Sequence, residues 1–439
     1  MKALRPFLSP LFLVLMFGVA AGTPLFPQTW GGWVLPGFAG LSLLVVARDL
    51  PFRLWVAGGA ILGLIGIYAM NPAYEWSEGV GLLPLKSHIS GLPGSAFAEG
   101  SWVAFGLALA LFAAFALASR LSEGQVRAVQ LAALLGGVAM AWVVLGQRLE
   151  PRPFPVFERT GIFVNENHFA VFSNLILPVV LALAARAHFR AVREGRPSSP
   201  AGLYLLAAVL MGAAVVMCRS RAGVAVMALV VAAHVGLTAG LRRQYPFLGG
   251  TAARWMKRAG GMALALAMTL AVLGFAREWK HLGDIRGEWE FRFGIVKDTV
   301  GMWRDHWVWG TGPGTFTEVF PYYQSEGFEG RSIRHAHCEP VQFLSEFGVA
   351  GGMGVLAALG LLLSATRKMP SSARDFPTFA ELERRSFALG LCACALHSIV
   401  DFPLRVPLIA LLAAAWAGAW AGHRGGIPAR ESEARVGAG

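Results

Sequence analysis

The sequence predicts an all-α polytopic membrane protein of about 12 transmembrane helices interrupted by one large folded outer loop. Three observations predict it. The 439 residues are 55% hydrophobic and only 15% charged, against roughly 25% charged for a soluble domain whose surface must face water. Apolar runs close to the ~20 residues that cross a hydrocarbon core as helix recur along the chain. The basic residues sit in short clusters between those runs, as membrane orientation requires. The net charge of +12 therefore speaks for topology, and nucleic acid is not an expected partner. The bilayer is.

Taken in order, the apolar runs are 7–26, 31–47, 54–70, 101–119, 127–146, 168–186, 201–217, 222–240, 259–276, 347–366, 386–401 and 404–422. The first follows Lys2 and Arg5 like a signal peptide, but the spans behind it favour an uncleaved first helix. With the N-terminus inside, the clusters Arg186–Arg196, Arg242–Arg258 and Arg367–Arg385 fall on the cytoplasmic side. Most of the 38 basic residues follow them, and both termini are expected inside. The expected division is then 1–276 with spans one to nine, an outer loop over 277–346, spans ten to twelve over 347–424, and a polar cytoplasmic tail over 425–439. The four cysteines are too few and too scattered for a disulfide framework.

A loop of about 70 residues without a role is uncommon in a compact chain. Within it, "EWEFRFGIVKDTVGMW" puts Phe291, Ile295, Thr299 and Trp303 on one helical face, predicting an amphipathic helix suited to the bilayer surface. "GTGPGTF" (310–316) lacks the βαβ context of a dinucleotide fingerprint and predicts a tight turn.

Ionisable groups near lipid are costly and call for a reason. In "CRSRAG" (218–223), Arg219 and Arg221 occupy a tight outer hairpin where positive charge is disfavoured. They either snorkel to headgroups or bind an anion, since guanidinium pairs bidentately with phosphate. Arg221 also heads the following helix, whose N-terminal dipole favours negative charge.

In "HAHCEPVQFLSEFGVAGG" (335–352), Pro340 suits the first turn of a helix running into the next span. His337 then stands just outside that helix, with Gln342 and Glu346 four apart on one face. His335, His337 and Cys338 find no second ligand pair in the outer loops, so no metal and no other cofactor is expected. An ordinary polar loop is the plain alternative to His337 as an acid–base or phosphate-contacting residue.

At these residues the sequence resembles the O-antigen ligase and polymerase superfamily of bacterial membrane proteins. "GIFVNENHFA" (161–170) is similar to its Gly-x-Phe-x-Asn-x-Asn-His-x-Ala segment, and "SRAG" (220–223) to its Ser-Arg-Gly/Ala segment. The stretch 291–316 resembles its Arg-x-x-x-Trp…Gly-x-Gly-x-Gly-Thr-Phe loop. "HAHCEPVQFLSEFG" resembles its Ala-His-Asn-Asp/Glu-x-x-Gln-x-x-x-Glu-x-Gly pattern, and "HSIVDFPLRVP" (397–407) its closing Asp-Phe-Pro segment. Cys338 stands where the family usually has Asn, and Gly294 and Ile295 alter the expected spacing to Trp after Arg292.

The resemblance implies a metal-independent glycosyltransferase at the outer face of the cytoplasmic membrane. Its donor would be a glycan on undecaprenyl pyrophosphate, and its acceptor a hydroxyl of lipid A–core, another glycan or a protein. It implies that Arg221 and Arg292 hold the pyrophosphate and that His337 is the essential histidine, with Asn167, Gln342, Glu346 and Arg219 in support. Repeat-unit polymerase and protein O-oligosaccharyltransferase are the other activities within the superfamily. A transporter of anionic or lipid-linked substrates is the alternative from another class, disfavoured because the charges gather at span ends rather than mid-membrane.

Overall fold

The computed structural model describes residues 5–22, 34–46, 50–77, 81–149, 160–244, 285–328, 330–365 and 377–422. Thirteen α-helices are seen among them: α1 (Arg5–Gly22), α2 (Leu35–Val46), α3 (Phe52–Met70), α4 (Ala98–Ala118), α5 (Glu123–Leu149), α6 (Glu166–Arg193), α7 (Ala201–Met217), α8 (Arg221–Gln244), α9 (Ile285–Asp305), α10 (Phe316–Val319), α11 (Glu339–Ala365), α12 (Pro377–Ser398) and α13 (Pro407–Gly422). Six of them, α3, α4, α5, α6, α8 and α11, contain stretches long and apolar enough to cross a membrane, and α1, α2, α7 and α13 contribute shorter apolar helices. The protein is a multi-pass, helical membrane protein. The expected span 259–276 and the tail 425–439 lie outside the described residues.

Three features depart from the sequence expectation. An antiparallel hairpin, β1 (Tyr74–Ser77) with β2 (Gly81–Pro84), follows α3. The expected span 386–401 belongs to a helix that begins at Pro377, carries charges through its first half and stops at Ser398, so Asp401 stands in a turn. The segment from Glu339 into the expected span 347–366 forms one element but is broken at Gly348, where φ is 63° and ψ −174°. Glycine tolerates that backbone without a Cβ penalty. The break frees backbone groups, and the stretch 307–312 supplies partners. Thr311 N donates to Ser345 O (2.9 Å), Gly312 N to Glu346 O (2.9 Å), Val349 N to Trp307 O (2.8 Å) and Ala350 N to Val308 O (2.9 Å). A polar loop is thereby stitched onto the broken helix, as buried backbone requires.

The centre of the bundle is α6, almost wholly buried and packed by α5, α7, α8 and α12. A buried ion pair between Arg186 and Glu383 (2.5 Å) ties α6 to α12. Helices α4 and α13 approach backbone to backbone at Gly418 and Gly422, where a methyl group would meet the Phe115 and Ser119 carbonyl oxygens. This is the small-xxx-small contact expected when dispersion rather than water exclusion drives helix association. Helix α9 has the apolar face read from the sequence, but Ile295 and Met302 pack on Phe316, Phe320, Ile333 and Ala336, so that face is buried in protein and not laid on lipid. The "GTGPGTF" turn holds Gly310, Gly312 and Gly314 at positive φ and rests on the start of α4, where Ser101 donates to Pro313 O at 2.8 Å.

Candidate functional site

The connection between α12 and α13, residues 399–406, is the hub of the site. Val400 O accepts from Arg292 Nη1 (2.8 Å). Asp401, fully buried, accepts at Oδ2 from Asn167 Nδ2 (2.5 Å). Its Oδ1 accepts from Phe402 N (2.9 Å) and faces His337 Nδ1 at 3.5 Å and His168 Nε2 at 4.0 Å. The histidine separations are ion-pair distances rather than formed hydrogen bonds. The Phe402 ring is wrapped by His335 stacked at 4.1 Å, His168 edge-on at 4.8 Å and His337 edge-on at 5.0 Å. Leu404 N donates to Glu339 Oε1 (2.6 Å), and Arg405 Nη2 to Glu346 Oε2 (2.8 Å).

Each neighbouring element is arranged around that hub. Asn165 caps α6, its side-chain oxygen accepting from Asn167 N (2.8 Å). Asn167 uses its carbonyl oxygen to accept from Ser220 Oγ (2.6 Å), and Ser220 in turn accepts from Gly223 N (3.0 Å). A side chain on Gly223 would collide with Ala170. The "SRAG" segment thus serves the site through Ser220 and Gly223. His337 sits in the left-handed region at φ 52°, sparsely populated for a residue with a Cβ and of the kind that collects at functional sites. Gln342 holds it there: its Oε1 accepts from Ala336 N and its Nε2 donates to Glu346 Oε1, both at 3.0 Å. Glu346 also accepts from Gly314 N (3.1 Å), which couples the glycine turn to the histidine loop.

Burial alone would raise the Asp401 carboxyl, but His337, His168 and Asn167 reverse this and hold it down at about 2, so it is ionised in the hub. Burial, followed by the nearby Arg405 charge, pushes His335 down to about 3; it is a neutral ring stacked on Phe402. Two imidazoles therefore face one carboxylate, and a third packs beside them.

These groups open on a cavity of about 2090 Å³. One part carries Arg292, Arg331, Arg334, Arg405, Asn167 and His337; another is apolar, formed by Leu35 and Pro36 of α2 and Trp102, Phe105 and Leu109 of α4. The Arg331 guanidinium lies 5.0 Å over the Phe291 ring. Of the residues singled out in the sequence, His337, Asn167 and Arg292 line this cavity, and Gln342 and Glu346 brace it from behind. Arg221 and Arg219 are not among its lining residues: Arg221 is exposed and pairs with Glu288 at 3.6 Å, and Arg219 is exposed in the left-handed region at φ 72°. Among the described residues no three His, Cys, Asp or Glu side chains gather as a metal site would require.

Sequence reasoning did not select Asp401, His168 or Arg405. The signal was available. His168 lies inside the "NENHFA" segment, and Asp401 is an acid placed between two apolar runs, a position costly to keep unless it is paired.

Residues 206–367 match the O-antigen ligase family model, Wzy_C. No curated protein and no solved structure matches the chain at the significance required. The match runs from within α7 to the end of α11 and takes in the hairpin serine, the glycine turn and the His337 loop. Over that stretch, somewhat more than a third of its length, the chain is similar to the O-antigen ligase family.

Proposed function

We propose that the protein transfers a glycan from a polyprenyl pyrophosphate to an acceptor hydroxyl, at the outer face of the cytoplasmic membrane, with His337 as general base. The observation that carries this reading is the single cavity in which His337, backed by ionised Asp401, shares space with a cluster of arginines and an apolar wall. An amphiphilic donor needs just those surroundings: cations for the pyrophosphate, greasy helix faces for the prenyl chain, and a proton acceptor beside the sugar.

With Nδ1–H turned toward Asp401, the His337 Nε2 lone pair is the one left for substrate. The acceptor hydroxyl gives its proton to Nε2 as its oxygen bonds to the anomeric carbon. The bond from that carbon to the phosphate oxygen breaks, and its electron pair leaves on the pyrophosphate. Arg292, fixed by Val400 O, holds that leaving charge, assisted by Arg405, which Glu346 fixes. Asp401 orients the ring and offsets the positive charge that forms on it during transfer. A single displacement of this kind inverts the anomeric centre. Arg221 is a further contact for the donor, reached only after its guanidinium leaves Glu288.

The test is transfer by the purified protein, in lipid, from an undecaprenyl-pyrophosphate glycan to lipid A–core, glycan and peptide acceptors. His337→Ala is expected to lower the rate by roughly 10²–10⁴-fold, the usual scale of acid–base catalysis. Transfer by His337→Ala at the wild-type rate overturns the assignment. The acceptor that is glycosylated separates ligase from polymerase and from protein glycosylation.

A further inference from the structure

A second, smaller cavity of about 250 Å³ shares no residue with the first. It lies where the far end of α9 meets the loop after β2, and is lined by His88, Leu92, Asp305, His306, Trp307 and Trp309. Nothing in the proposed chemistry uses it. Its make-up is nonetheless specific. Two indoles supply flat apolar faces; two imidazoles and a carboxylate supply donors and acceptors, without the clustered positive charge of the large cavity.

The walls are preset. Trp309 Nε1 donates to Gly91 O at 3.0 Å, and the His306 Nε2 atom meets the Tyr323 hydroxyl at 3.2 Å. The Trp307 and Val308 carbonyls are bonded to the broken helix α11. The Trp307 side chain, by contrast, is left 58% exposed. A large aromatic held on a fixed backbone yet uncovered is the arrangement of a binding platform, since little ordering entropy remains to be lost when a ligand arrives.

We infer that this cavity binds a saccharide unit of the glycan, remote from the bond being made. A sugar ring has a C–H face that packs on an aromatic ring and a rim of hydroxyls that both donate and accept. Indole faces beside imidazole and carboxylate complement both. The volume lies just under the ~300 Å³ at which drug-sized pockets begin, which suits one or two sugar rings. Helix α9 connects the two cavities: Arg292 lines the first and Asp305 the second. At ~1.5 Å rise per residue they stand roughly 20 Å apart, a distance that an oligosaccharide of several units spans. Binding energy gathered so far from the reacting carbon can still be used to position it. The inference rests on the glycan-transfer reading, and the glycan concerned belongs either to the donor or to the acceptor.

The experiment has a binding arm and a transfer arm, with Trp307→Ala and Trp307→Phe beside the wild type in nanodiscs. In the first, the lipid-free oligosaccharide released from the donor is titrated and read by saturation-transfer NMR. Trp307→Ala is expected to weaken binding roughly tenfold, the scale of one aromatic anchor, with most of the affinity kept in Trp307→Phe. In the second, donors with one or several repeat units are compared, and likewise short and extended acceptors. The variant is expected to slow only the long substrate of one pair, and the pair affected identifies whose glycan is held. Trp307→Ala binding within twofold of wild type overturns the inference, as do rates that fall equally for short and long substrates in both pairs. A wild-type protein that transfers nothing would instead count against the glycan-transfer reading, and the binding arm alone would then decide the saccharide site.

Discussion

Replacing Asp401 by Asn probes the hub with little change of shape. The carboxylate accepts from Asn167 and Phe402 N and faces His337 Nδ1 at 3.5 Å. An amide can keep its oxygen toward Phe402 and His337 if the Asn167 amide turns over, so the main loss is charge. At 3.5 Å, the attraction between that charge and a protonated imidazole is about 1 kcal/mol at the dielectric of water and about 5 kcal/mol at an effective value near 20. His337 borders an open cavity, which places the effect between these limits, near 3 kcal/mol. The turnover rate of Asp401→Asn should therefore fall on the order of 10²-fold, with the donor KM little changed, because the charge matters once the ring is protonated. Initial rates across donor concentrations measure both constants. The Asp401→Asn, His337→Ala double variant should be no slower than His337→Ala alone, since two groups acting as a unit are not additive. Turnover within threefold of wild type, or fully additive losses, refutes the partnership.

Other expectations follow from the same contacts. Arg292→Ala should weaken donor use more than Arg221→Ala, because Arg292 lies inside the cavity while Arg221 is an exposed partner of Glu288 worth under about 1 kcal/mol to the fold; parallel donor titrations decide. Gly223→Ala should destabilise the protein by roughly 1–3 kcal/mol through its collision with Ala170, read as a lower unfolding temperature in detergent. Asp401 has its pKa lowered from 3.8 to about 2. Its contribution to stability is thus whole above about pH 4 and lost as pH falls toward 2, because the unfolded chain takes up the proton first. Asp401→Asn should flatten the melting temperature across that window. Glu346→Gln should impair turnover by loosening Arg405, Gly314 N and Gln342 together; an unaltered rate would show that this brace is dispensable.

Helix positions were the most legible part of the sequence, because lipid imposes a length and a polarity that a run of residues either has or lacks. The break at Gly348 was not legible. A glycine in an apolar run reads as helix packing until the 307–312 backbone is seen to pair with the freed groups. The apolar face of α9 was read correctly, but periodicity cannot say whether protein or lipid covers such a face. In the site, the Gln342–Glu346 pair follows from spacing of four on a helix, and it is formed. His337 stood out as a polar residue at a helix start. Asp401 did not, because its partners Asn167 and His337 lie far away in sequence, and only the tertiary fold brings a turn after α12 against the start of α6. Arg221 and Arg405 show the same limit in reverse. One arginine looked placed for an anion and is found on the surface; the other fell at the start of the expected span 404–422 and lines the cavity.

The most direct measurement is the single-turnover rate of glycan transfer from undecaprenyl-pyrophosphate donor in proteoliposomes, wild type against His337→Ala, with donor binding measured on the same samples. The account expects the variant to bind donor normally and transfer it roughly 10²–10⁴-fold more slowly. Equal transfer rates at equal donor occupancy would contradict it.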